Sequence, residues 1–355
     1  MFQDADYDLP RGVAIVGAGA IGSLLGARLL KARVPVTLIG RPAAMQAVRD
    51  RGLTLEQPYW RAVTLRDLDA VSAWDELDSL EIANIGLVVL TTKAHDTAEA
   101  AAGLAGHVPP GVPLLVLQNG VGGADVARRQ IGNRPLLAGV TTLVAVRSAQ
   151  ATVRSLSRRG GFGVASVTAP PGLLNWVGWQ LRSTGLPTRV CPDYRAMAWS
   201  KLLLNLLGNA VPAIVGLSPQ RVFADLALCR LEIAAFREAL AVMRAQGLAP
   251  ISLPGWPVPA IAHAMASLPV PILHRLLPRL GGGGRSGKRP SLQVDLEEGR
   301  RQSEVEFLNG AVVRAGLELG VPVPANALIY RTLAAMVEGA IPREAYRENP
   351  HSLLA

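Results

Sequence analysis

The chain has 355 residues, half of them hydrophobic and only 18% charged, which is length enough for two cores and excludes global disorder. Its two cysteines, Cys191 and Cys229, exclude a disulfide framework and a cysteine-based metal site, and fit a reducing, cytoplasmic compartment. A formal charge of +9 raises nucleic acid as a partner, but the arginines are scattered and aromatic residues make up 5%, so no basic stripe with stacking rings argues for one.

The opening residues, MFQDADYDLPRG, are acidic and lack the basic-then-apolar pattern of a secretory signal. Val13 to Val16 reads as a short buried strand. It breaks at Gly17-Ala18-Gly19-Ala20-Ile21-Gly22 and gives way to helical periodicity through Ser23 to Lys31. A second strand, Val36 to Ile39, follows. In that setting G-x-G-x-x-G provides a tight turn, close approach of backbone to a pyrophosphate, and a helix N-terminus to cap its oxygens. Gly17, Gly19, Ala20, Ile21 and Gly22 are therefore expected to hold a dinucleotide. The second strand ends in Gly40-Arg41, with no acid near to read a ribose 2′-hydroxyl. An arginine there suits a 2′-phosphate, so NADPH is the expected cofactor, an exposed loop arginine being the plainer alternative.

Leu87 to Leu90 and Leu114 to Leu117 read as further buried strands, running into Thr91-Thr92-Lys93 and Gln118-Asn119-Gly120. In a parallel sheet ligands sit beyond the carboxyl ends of strands, which places Lys93 and Asn119 at the cofactor. Each alone is also ordinary loop chemistry. The segments GVTTLVAVRS and GGFGVASV read as strands extending the sheet.

Beyond the turn LPTRVCPD the pattern becomes helical. The expected organisation is an α/β N-terminal Rossmann-type dinucleotide-binding domain over 1–189 and an all-α C-terminal domain over 190–355, with a cleft between them for small-molecule chemistry. Helices are predicted over Tyr194–Val215, Ala224–Gln246, Gly299–Leu319 and Asn326–Val337. Between 250 and 290 lies a Gly- and Pro-rich connection, whose GGGGRSGKRP at 281–290 reads as a flexible loop. The apolar run 202–217 is too short to span a membrane and is interrupted by two Asn and a Pro. Lys201, Asn205 and Asn209 are spaced four apart, so on one helix they climb a single face through an otherwise apolar surface. Burying an unpaired ammonium and two carboxamides is costly, so that face demands a polar occupant. Ser303 is predicted as an N-cap with Glu304 in the first turn, where the helix dipole favours an anion; a simple first-turn acid is the plainer reading. Just before it come Ser291 and Asp295.

Together GAGAIG, TTK, LQNG, W-S-K-L-x-x-N-x-x-x-N and P-S-x-x-x-D…S-E-V-E-F-L-N-G resemble the ketopantoate reductase family, from Val13 to about Val337. The resemblance implies NADPH-dependent reduction of the 2-oxo group of ketopantoate to D-pantoate, on the route to pantothenate and coenzyme A. It implies Lys201 as general acid and Glu304 as a contact to lysine, cofactor or substrate. It also implies that Asn119, Asn205 and Asn209 orient lysine and substrate, and that Ser291 binds substrate. The chemistry is consistent: hydride arriving at a ketone carbon leaves charge on oxygen, which a positioned ammonium stabilises and protonates.

Three departures from the family pattern bear on the substrate. Pro219 falls near a place where some members carry a further Asn, the segment from Asp295 to Glu304 is one residue longer, and a loose glycine loop precedes Ser291. The competing readings are an NADPH-dependent reductase of another 2-oxo acid or an imine, and a non-catalytic NADP-binding regulator. The expected partner is a small 2-oxo acid, with no nucleic acid, membrane or metal, and with a homodimer left open.

Overall fold

The computed structural model describes residues 11–58, 60–66, 70–73, 84–157, 159–282 and 289–354. The expectations for the first ten residues and for 283–288 of the glycine loop lie outside the described residues. The chain divides into two compact units, Met1–Gln118 with Gly122–Met197 and Leu253–Trp256, and Asn119–Val121 with Ala198–Ser252 and Pro257–Ala355.

The first unit contains strands β1 (Gly12–Val16), β2 (Val36–Gly40), β3 (Leu53–Gln57), β4 (Trp60–Leu65), β5 (Ala70–Ala73), β6 (Ile85–Leu90), β7 (Leu114–Leu117), β8 (Leu136–Thr141), β9 (Ala145–Ala149), β10 (Thr152–Ser155), β11 (Phe162–Ser166) and β12 (Thr188–Val190). Its helices are α1 (Ala20–Lys31), α2 (Pro42–Arg51), α3 (Thr97–Ala105), α4 (Gly123–Gln130) and α5 (Pro171–Ser183). Among the described residues, the order β12-β11-β8-β7-β6-β1-β2-β5 makes one sheet and β4-β3-β10-β9 a second. The large sheet is parallel except where β8 meets β11.

Covering the sheet on both faces explains why its central strands are unbroken hydrophobic runs. Val13 and Ile15 of β1 enter a core with Leu24, Leu25 and Leu29 of α1, whereas Ala14 and Val16 enter another with Ala101, Leu104 and Ala127. The segment expected to form one strand around Thr141 instead divides. β8 extends the large sheet, and β9 joins the small one. The Thr142 hydroxyl takes the N–H of Gly161 (2.9 Å) and donates to the carbonyl of Pro254 (2.7 Å), which ties the point of division to two other segments.

The second unit is helical: α6 (Tyr194–Leu206, whose first turn counts with the first unit), α7 (Ala210–Val215), α8 (Pro219–Ala224), α9 (Leu226–Ala245), α10 (Val258–Ser267), α11 (Val270–Gly282), α12 (Ser291–Glu297), α13 (Asn309–Leu319) and α14 (Pro324–Glu338). Two predicted helices need correction. The helix expected over Tyr194–Val215 is two helices. Gly208 adopts φ +63, and its N–H is taken by the carboxylate of Glu232 on α9 at 2.9 Å, a side chain only 1% exposed. That bond satisfies a donor the break would otherwise bury unpaired. By length and composition the stretch 194–215 would suit a membrane span, but 72% of its most apolar window is buried within the protein.

The helix expected over Gly299–Leu319 is also interrupted. Gly299 sits at φ +70, and Asp295 holds Arg300 twice, by carboxylate to Nε (3.2 Å) and by carbonyl to main-chain N–H (3.1 Å). A 3-10 turn, Glu304–Phe307, then precedes α13. Ser303 caps it as expected, its hydroxyl accepting the N–H of Val305 at 3.2 Å.

Candidate active site

The chain leaves β1 for β2 on one side and returns to β6 on the other. The crevice beyond the carboxyl ends of β1 and β6 is thus a switch point of the kind where α/β sheets take ligands. Gly17 closes β1 at φ +108, where a Cβ would meet the main chain of Thr91 and Thr92 at 2.8 and 2.7 Å. A Cβ on Gly22 would strike the Gly17 carbonyl and the Thr91 hydroxyl, which itself donates to that carbonyl at 2.7 Å. Between these crowded positions Gly19, the N-cap of α1, has nothing within 4 Å of where a Cβ would stand. The protein's own packing requires two of the three glycines. The third leaves open space before a helix N-terminus, which fits a phosphate brought against main-chain N–H groups. Ala20 and Ile21 form the first turn of that helix, which carries no acid to repel an anion.

Arg41 follows β2 directly as the exposed N-cap of α2. Gly40, just before it, packs so closely on Ala18 of the glycine turn that its Cβ would come within 2.8 Å of the alanine's. Lys93 is half-buried and leads into a 3-10 turn, Ala94–Asp96. The sequence named Gln118 only as a strand end, and the structure makes it a brace. Its Nε2 donates to the Thr92 hydroxyl (3.1 Å) and reaches the Lys93 carbonyl (3.5 Å), while its Oε1 accepts from buried Thr97 (2.8 Å). That amide ties the end of β7 to the loop after β6, adding to the ladder between the two strands.

In the second unit α6 sets Lys201 and Asn205 one turn apart. Both are half-buried, whereas Leu202, Leu203, Leu204 and Leu206 around them are buried. Lys201 Nζ donates to Asn205 Oδ1 at 2.7 Å. An ammonium offers only donors, so the amide must turn its oxygen toward it. Asn205 Nδ2 then faces Asn119 Oδ1 at 3.5 Å. Asn209 departs from the expected ladder. The break at Gly208 makes it the N-cap of α7, and its Oδ1 accepts the N–H of Leu292 at 3.4 Å. That contact brings Asn209 to Ser291, the first residue of α12.

Glu304 is 5% exposed in its 3-10 turn. Burial opposes the charge of the nearby Arg300 guanidinium, but the bonds it donates to Glu298 and the charges of Asp295, Glu298 and Glu304 outweigh it and raise its pKa. Glu306, the other acid of the turn, is engaged by Arg314 and Tyr330. The same turn is bonded to the segment after Asn119, since Val121 N–H donates to the Phe307 carbonyl at 3.1 Å. The structure therefore joins Lys201, Asn205 and Asn119 in one chain of bonds and groups Asn209 with Ser291. Among the described residues no cluster of His, Cys, Asp and Glu could hold a metal ion.

Comparison with known proteins bears on the family and the fold. The family described as "Ketopantoate reductase PanE/ApbA" matches residues 13–165, and its C-terminal counterpart matches 193–337. The 2-dehydropantoate 2-reductase of Halobacterium salinarum is 28% identical over 92% of this chain and 97% of its own length. The enzyme of that name from Caulobacter vibrioides is 29% identical over 91% and 98%. Among solved structures, a PanE/ApbA family ketopantoate reductase from Ralstonia eutropha superposes with TM-score 0.76 at 28% identity, covering 92% of this chain and 99% of that one. D-mandelate dehydrogenase, solved with NADH and anilino(oxo)acetate, reaches TM-score 0.76 at 20% identity over 92% and 98%, a likeness of fold alone.

Proposed function

This chain belongs to the ketopantoate reductase family, matched in both halves, and on that premise we propose that it is a soluble, cytoplasmic oxidoreductase that reduces ketopantoate to D-pantoate with NADPH. The observation that carries the reading is the bonded chain from Lys201 through Asn205 to Asn119. In this reading Gly17, Gly19, Ala20, Ile21 and Gly22 hold the cofactor's pyrophosphate, Arg41 its 2′-phosphate and Lys93 a further cofactor group, with Asn119 and Glu304 the additional contacts that the family resemblance implies. Bound there, NADPH supplies a hydride to the keto carbon.

The remaining work falls to the chain's own side chains. Lys201 donates a proton to the ketone oxygen as charge builds on it, and Asn205 holds the ammonium in place while it does so. Asn119 spends its Oδ1 on Asn205, which leaves its Nδ2 as a donor for an oxygen of the substrate. Asn209 and Ser291 bind substrate polar groups at the junction of α7 and α12. A non-catalytic NADP-binding regulator would need the glycine turn but no proton donor fixed by an amide. Consumption of NADPH, followed at the nicotinamide absorbance with ketopantoate and a panel of other 2-oxo acids, tests the proposal. No turnover of any 2-oxo acid overturns it, and a better rate on another acid reassigns the substrate while keeping the mechanism.

A further inference from the structure

We propose that Gly120 is a positioning residue for this reaction, acting through Asn119. The proposal takes its substrate from the reductase reading, while its geometry is independent of it. Gly120 is constrained twice. Its φ of +88 lies in the left-handed region, and a Cβ there would stand 2.6 Å from both the Cβ and the carbonyl oxygen of Phe307. Next to it, Val121 donates its N–H to that same carbonyl at 3.1 Å. The segment Asn119–Val121 is thereby seated on main chain at the end of the 3-10 turn that carries Glu304. Phe307 cannot yield readily, because Ser303 caps the start of its turn and Arg314 and Tyr330 hold Glu306 within it.

The seat matters for the side chain one residue earlier. Asn119 Oδ1 takes the N–H of Asn205 at 3.5 Å, the long end of hydrogen bonding, so a shift of a few tenths of an ångström removes the bond. Asn205 must show its oxygen to Lys201, and the acceptor on Asn119 occupies the other half of that amide. Deprived of the acceptor, the Asn205 amide keeps its oxygen toward the ammonium but loses the contact that fixes where that oxygen stands. Gly120 thus sets the placing of the relay that ends on Lys201, although its own close contact is with Phe307.

The test is a double-mutant cycle on kcat/KM with wild type, Gly120→Ala, Asn119→Ala and the double variant, using the 2-oxo acid that the wild type turns over best. Gly120→Ala is expected to lower kcat/KM by roughly tenfold or more, and to add almost nothing once Asn119 is alanine. Independent costs that multiply in the double variant overturn the proposal, as does a Gly120→Ala enzyme with wild-type kcat/KM. Should Gly120→Ala fail to fold, Val121→Pro deletes the donated N–H without adding a Cβ at 120, and carries the same cycle. A substrate-free readout is the side-chain amide NMR resonance of Asn205. It should shift in Gly120→Ala or Val121→Pro, and an unmoved resonance refutes the seat. Absence of turnover in the wild type refutes the reductase reading, while the resonance still decides the role of Gly120.

Discussion

Asn205→Ala removes the oxygen that Lys201 Nζ meets at 2.7 Å and leaves the lysine in place. A hydrogen bond to a charged group contributes about 1.5–3 kcal/mol. The same substitution also deletes the second bond of Asn205, at 3.5 Å to Asn119, which anchors the amide. If the positioned ammonium is needed when charge forms on the ketone oxygen, that free energy is lost from the transition state, and kcat should fall by about 10- to 100-fold. Stability should change little, because Asn205 is half-buried and alanine is the better helix former. Steady-state kinetics beside a thermal melt separate the two effects. A variant with unchanged melting temperature and kcat within about twofold of wild type would refute the claim that Asn205 orients the proton donor.

Lys201→Ala should lower kcat by roughly 10²–10⁴, more than Asn205→Ala, because it removes the acid itself; equal losses would mean the amide does more than position. Gly22→Ala should destabilise by about 1–3 kcal/mol, since its Cβ collides with the Gly17 carbonyl. Gly19→Val, in open space, should spare the melting temperature but abolish NADPH binding, and retention of binding by calorimetry would exclude the glycine turn as the phosphate site. Arg41→Ala should weaken NADPH by about 1.5–3 kcal/mol and leave NADH affinity alone, which paired dissociation constants check. At Asp225, burial raises the pKa, but N–H bonds from Leu228 and Ala227 and the contact with His351 outweigh it and hold the carboxyl below its ordinary value. Its stabilisation is therefore complete above the ordinary range and lost as pH falls through the lowered value. The melting-temperature gap between wild type and Asp225→Ala, from a cap of about 1 kcal/mol, should be constant near neutrality and narrow below about pH 4.

The sheet was legible because each of its central strands is buried on two faces, so hydrophobicity runs unbroken and stops where the chain must turn. Gly17 and Gly22 stand out in the sequence through the spacing of their motif, whereas the packing that requires them involves Thr91, 74 residues beyond Gly17. Lys201 and Asn205 could be paired from spacing, because i and i+4 meet on any helix. The third rung could not. Gly208-Asn209 is a helix-stop signal in the local sequence, but the apolar run on either side masks it. What makes the break affordable is Glu232, a carboxylate 24 residues downstream that takes the Gly208 N–H. Asn119 lies 86 residues from Asn205, and no local pattern announces their contact. The seat of Gly120 on Phe307 spans a still longer stretch of chain, and composition carries no sign of the close approach that requires a glycine there.

The break after α6 also bears on how the site divides its tasks. Were α6 to continue, Asn209 would stand one turn beyond Asn205 and both amides would serve the lysine. Ending the helix at Leu206 releases Asn209 to cap α7 and take the N–H of Leu292, next to Ser291. One amide is then bonded to Lys201 and the other to the α7–α12 junction, which the proposed function assigns to substrate polar groups. The choice of an amide beside Lys201 has its own logic. A carboxylate at 2.7 Å would position the ammonium as well, but its full charge would favour the protonated form and oppose release of the proton. Asn205 fixes the direction of the lysine without adding a charge of its own, which suits the proton donor of the proposed mechanism.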